Sequence, residues 1–160
     1  MGTTETYQGP SGKPLPGLKM GLKEAMERLK VLFQRKGVVL AYLFGSYARG
    51  EVRATSDIDI AVLLDRNKKE LYPSYLELML GIYETLGTER VDLLLLNGAP
   101  LTLQFEIISQ GQLIYFRNDQ ELNTFEINVI RRFQDTAYLR MVQNDYLKRR
   151  AEEWYSRKRA

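Results

Sequence analysis

The residues with the clearest chemical potential lie between Leu40 and Leu64. Gly45 and Ser46 follow an apolar run. Ten residues later come Asp57 and Asp59, separated by Ile58 and followed by the apolar stretch Ile60 to Leu64. On a strand, alternate side chains share a face, so Asp57 and Asp59 lie together while Ile58, Ile60 and Val62 face the other way. Two carboxylates about 6.5–7 Å apart repel each other, and burial without a counter-charge is costly. A pair of divalent ions about 3.5–4 Å apart fits such a gap. Hard oxygen donors favour Mg2+, or Mn2+ in its place, over zinc. Gly45 allows a ligand to approach the backbone closely. Ser46 adds a hydroxyl and an N–H at a predicted helix start, where an anion is favoured. Metals beside a phosphate cradle imply nucleotide chemistry.

Two arginines follow the turn. Arg49 is assigned to triphosphate oxygens through charge-assisted bonds. Arg53 has the weaker claim; either arginine could instead balance Asp57 or Glu51, or face solvent. Asp92 is the remaining anomaly, a carboxylate beside four leucines in VDLLLL. It is either a strand-end residue, paired with Arg90 or solvated, or part of a charged site.

The elements that hold these residues follow from periodicity. Leu22, Ala25, Met26, Leu29, Leu32 and Phe33 have helical spacing, predicting a helix over Lys19 to Arg35 that Gly37 ends. Val38 to Phe44 reads as a buried strand. Leu71 to Leu86 reads as a helix with Pro73 in its first turn and Gly87 at its end. Val91 to Leu96 is the next buried strand, Leu101 to Ser109 a short helix, and Gln112 to Phe116 an edge strand. Beyond Asn118 there is neither glycine nor proline. A helix unbroken to Tyr155 would be on the order of 55 Å long, too long for a domain with a radius of gyration of about 15 Å. It must bend, break near Gln134 to Ala137, or project, and Tyr146, Leu147, Trp154 and Tyr155 would then offer a docking surface.

Composition narrows the field. The chain has 160 residues, no cysteine and no histidine. It therefore has no disulfide framework, no thiolate metal site and no imidazole-based catalysis. The net charge is +3, with basic residues crowded at the C-terminus; such an end serves RNA, an acidic partner or solubility. No apolar run is long enough to span a membrane, and no secretory leader is evident. A cytoplasmic location is expected.

Gly45-Ser46, ten residues, then Asp57-Ile58-Asp59 resembles the signature of the polymerase-β-like nucleotidyltransferase superfamily. GSYARGEVRATSDIDIAVLL is most similar to the minimal nucleotidyltransferases, and among them to the MntA-type adenylyltransferase antitoxins encoded beside HEPN-domain ribonuclease toxins of the HepT type. The likeness covers Val39 to Leu64, is extended by Asp92, and weakens through Phe125-Glu126. It implies an α/β (α+β) nucleotidyltransferase fold, a small mixed sheet flanked by helices with a long C-terminal helical segment. It also implies that Asp92 is the third acidic residue, completing a metal site with Asp57 and Asp59. Gly45, Ser46 and Arg49 would bind the nucleotide.

On that resemblance, two Mg2+ ions would serve transfer of AMP from ATP to a tyrosine hydroxyl of the cognate HEPN toxin. Pyrophosphate would be released and the proteins would form a hetero-oligomer. Direct nucleic-acid binding is not expected. The expected division is an arm over 1–17, a nucleotidyltransferase domain over 18–118 and a helical extension over 119–160, packing on the domain or on a partner. The alternatives are nucleotidyl transfer to a small molecule or RNA, and an antitoxin that masks the toxin without catalysis.

Overall fold

The sheet is built around Val38–Phe44 (β1), whose residues are buried up to the half-exposed Phe44. Only a strand with neighbours on both edges and layers on both faces buries so continuous an apolar run. The computed structural model describes residues 22–46, 49, 57–65 and 67–159. The predicted N-terminal arm, Lys19 to Gly21 of the first predicted helix, and Arg53 lie outside them.

The elements run α1 (Leu22–Arg35), β1, β2 (Ile58–Leu64), α2 (Lys68–Leu86), β3 (Val91–Leu95), a 3-10 turn over Leu96–Gly98, α3 (Leu101–Gln110), β4 (Gln112–Phe116), α4 (Asp119–Asp135) and α5 (Ala137–Arg159). The strand order is β3-β2-β1-β4. β1 pairs antiparallel with β2 and β4, while β2 and β3 run parallel. The sheet is therefore mixed, with helices on both faces.

Side-chain alternation divides the core. Ala41, Leu43, Ile58, Ile60 and Val62 meet α1 and α2 through Ala25, Leu29, Phe33, Leu78 and Ile82. Leu40, Tyr42 and Ala61 turn the other way, toward Leu96, Ile107, Leu122 and Phe125. Asp59 and Asp92 share this second face by strand periodicity.

Caps fix the helix limits. Asn67 accepts hydrogen bonds from the N–H groups of Lys69 and Glu70, and its amide donates to the Glu70 carboxylate at 3.0 Å. This reciprocal cap starts α2 three residues before the predicted Leu71. Gly87 ends it in the left-handed region, at φ 67°. Asn118 and Glu121 repeat the device at α4.

One expectation needs adjustment and another matches the structure. β3 is an edge strand rather than a buried one, with only Val91 fully buried. The long C-terminal segment breaks at Thr136, within the predicted window, where the Thr136 hydroxyl donates to Arg132 O at 2.9 Å. Beyond it, α5 exposes Tyr138, Leu139, Met141, Tyr146, Leu147, Trp154 and Tyr155.

Candidate active site

β1 ends at Phe44 directly opposite Asp59 of β2. The chain then turns at Gly45, which has φ +71°. A Cβ built on Gly45 would lie 2.1 Å from Asp59 Oδ2 and 2.9 Å from its Cγ. Two independent constraints thus select glycine: the left-handed backbone and the carboxylate pressed against its Cα. Half-buried Ser46 follows, and the Arg49 N–H donates to Gly45 O at 3.2 Å, closing one turn.

The parallel register of β2 and β3 sets Asp59 beside Asp92, although 33 positions separate them in the chain. The charge density is felt at Asp59. Burial raises its carboxyl above the usual carboxylate range, the Asp92 and Asp57 charges push it further, and Arg49 partly opposes them. The Asp59 carboxylate thus feels Asp57, Asp92 and Arg49 at once.

Asp57 and Asp92 are exposed. Asp57 Oδ1 accepts from Arg90 Nε at 3.3 Å. The arginine weighed as a partner for Asp92 thus pairs with Asp57. Both side chains are nearly half exposed, so the pair is worth about 0–1 kcal/mol. Among the described residues, no three acidic side chains converge closely enough to enclose one ion. The donor set nonetheless fits a hard divalent cation in its chemistry: three carboxylates gather at one sheet end, and burial first, then the charges of the other two, hold Asp59 above the usual carboxylate range.

Sequence reasoning did not single out several neighbours. Arg49 and Gly45 share a small cleft with Glu106 and Gln110 at the end of α3. Tyr75 and Tyr83 of α2 reach the β3 backbone on either side of Asp92. No local sequence signal marks these residues, because the contacts arise from packing. Arg90, which immediately precedes β3, enters the sequence reading only as an alternative partner for Asp92; the structure shows its Nε bonded to Asp57.

Known proteins resemble both the sequence and the arrangement. A candidate protein adenylyltransferase of Methanocaldococcus jannaschii, MJ1379, is 40% identical over 82 residues, covering 51% of this chain and 78% of its own. The protein adenylyltransferase MntA of Aphanizomenon flos-aquae is 28% identical over 109 residues, covering 64% and 73%. Among solved structures, a chain from a toxin–antitoxin crystal structure with AMP-PNP superposes with a TM-score of 0.60 at 27% identity. It covers 76% of this chain and 98% of that one. A chain from the complex of a tri-AMPylated Shewanella oneidensis HEPN toxin with MNT antitoxin gives 0.57 at 25% identity, covering 78% and 98%. Residues 27–120, more than half of the chain, match the family described as "Polymerase beta, Nucleotidyltransferase", and the chain belongs to that nucleotidyltransferase family.

Proposed function

We propose that this nucleotidyltransferase is the antitoxin of a toxin–antitoxin pair and transfers AMP from ATP to a tyrosine hydroxyl of a HEPN ribonuclease toxin. The observation that carries the reading is the juxtaposition of Asp59 with Asp92, backed by the Gly45 turn against the Asp59 carboxylate. The named relatives give the donor and the partner their chemical class.

In this reading Asp57, Asp59 and Asp92 would hold Mg2+, with Mn2+ as a substitute. Bound divalent ions would supply neutralisation of triphosphate charge and a lowered pKa at the acceptor hydroxyl. The chain's own groups position the reactants. Gly45 and Ser46 lie along the phosphates, where backbone N–H groups favour an anion. Arg49 takes a triphosphate oxygen. The acceptor oxygen attacks the α-phosphorus in line, forming the new O–P bond as the bond to the β-phosphate bridging oxygen breaks. Pyrophosphate departs, and the acceptor proton passes to the Asp92 carboxylate. Most of the rate enhancement is orientation and charge stabilisation, which need no histidine.

The exposed α5 extension offers the partner a surface, and the pair works in the cytoplasm. No helix among the described residues is long and apolar enough to cross a membrane. The test is incubation with the HEPN protein encoded beside it, ATP and Mg2+, followed by intact-mass measurement. AMP units should appear on the partner and be absent with Asp57→Ala/Asp59→Ala. Full protection from toxicity by that double variant would replace catalysis with masking.

A further inference from the structure

Asp92 sits on an edge strand, the least restrained place in a sheet. In a parallel ladder, alternate residues point their N–H and C=O toward the same neighbour. The Ile58 N–H donates to Arg90 O at 3.0 Å. The carbonyls of Val91 and Leu93, one residue and three residues on, therefore look out of the sheet. Both have partners on α2. The Tyr75 hydroxyl donates to Leu93 O at 2.9 Å and the Tyr83 hydroxyl to Val91 O at 3.4 Å.

These bonds bracket Asp92: the residues immediately before and after it are each held by a phenol from the same helix. Position 92 itself stands beside Asp59 in the register. α2 is in turn anchored in the core by Leu78, Ile82 and Leu86, all buried.

We propose that Tyr75 and Tyr83 are positioning residues for the active site, fixing the height and orientation of Asp92 by clamping the two outward carbonyls that flank it. The tyrosines touch neither substrate nor cation. They replace the missing strand on the open side of β3, which would otherwise slide or fray and carry Asp92 away from Asp59. This inference rests on the reading of Asp92 as a member of the cation site.

The test uses the full-length chain with Tyr75→Phe/Tyr83→Phe, which keeps both rings and removes both hydroxyls. Tyr72→Phe, on the exposed ring beside Tyr75, is the control. Hydrogen exchange at the β3 amides should accelerate about tenfold in the double variant, as expected when a local clamp opens. Mn2+ affinity, measured by calorimetry with AMP-PNP present, should weaken about tenfold, the scale of losing support behind a metal ligand. The control should leave both unchanged.

With Asp92→Asn as background, removing the hydroxyls should have no further effect on Mn2+ affinity, because the clamp acts through that carboxylate. Faster exchange with unchanged Mn2+ affinity would overturn the proposal, making the hydroxyls merely structural. Wild-type exchange would overturn it as well. If the double variant does not fold, Tyr75→Phe alone, bearing the shorter bond, decides by the same two measurements. Unchanged Mn2+ affinity in Asp92→Asn itself would instead refute the assignment of Asp92, and the proposal with it.

Discussion

Gly45 and Asp59 are in such close contact that a single added carbon on the glycine would overlap the carboxylate, 2.1 Å from Oδ2. The turn after β1 and the acid of β2 are thus fitted closely enough to leave no room for a side chain at position 45. Gly45→Ala combines the left-handed penalty of about 1–2 kcal/mol with displacement of the Asp59 side chain. Nucleotidyl transfer, read by mass or pyrophosphate release, should fall about 100-fold, the scale of a misplaced reacting group. Gly98→Ala, where an added Cβ meets nothing within 4 Å, should retain activity.

Asp59 contributes a pH dependence opposite to that of an ordinary salt-bridged aspartate. Its folded-state pKa is raised by burial first, then by Asp92 and Asp57. Between the usual carboxylate value and this raised value, the folded chain holds a proton that the unfolded chain has released. Stability therefore falls as pH rises through that window and stays reduced above it. Asp59→Asn should raise the melting temperature at pH 7 by on the order of 1–2 °C while abolishing transfer. The difference should vanish below the ordinary carboxylate pKa. Adding Mn2+ should raise the melting temperature of the parent chain but not that of the variant.

Tyr42 is buried at the sheet centre, and its hydroxyl donates to Glu126 Oε1 at 2.7 Å. Burial first, and then this carboxylate, drive the phenol far above its usual pKa, so the proton stays on Tyr42 throughout the working range. Tyr42→Phe removes the bond joining β1 to α4 and should cost about 1–2 kcal/mol of stability, measured by urea denaturation.

The α5 segment rests lightly on the rest of the chain and, among the described residues, carries about half of the exposed large apolar side chains. Truncation after Thr136 should leave the unfolding free energy, measured by urea denaturation, within about 0.5 kcal/mol of the parent, as for other surface changes. Under the proposed function it should also abolish co-purification with a HEPN partner. Retained complex formation would move the docking surface elsewhere.

Strong local signals made much of this architecture legible. The apolar run of β1 predicts its observed limits, and Gly87 marks the end of α2 through the left-handed conformation glycine permits. Capping chemistry was harder to read. Pro73 drew the start of α2 toward Leu71, whereas Asn67 and Glu70 open the helix earlier. The leucines of β3 do not distinguish a central strand from an edge strand, because helices cover its faces whichever place it occupies. The break at Thr136 lacks glycine and proline, so helix length against domain size locates it more clearly than residue type does. At the site, the spacing of Asp57 and Asp59 is local and visible. The pairing of Asp59 with Asp92, and of Arg90 with Asp57, depends on strand register between distant segments.

Trp154 is the sole tryptophan of the chain. It lies on the outer turns of α5, edge-on to Tyr155 with ring centroids 5.1 Å apart and with Lys158 Nζ 4.4 Å from its own centroid. All indole emission therefore originates from one water-exposed position on the extension. The unlabelled protein carries a built-in optical probe: a blue shift on mixing with another macromolecule would reveal, without any added dye, that this end of the helix had left water.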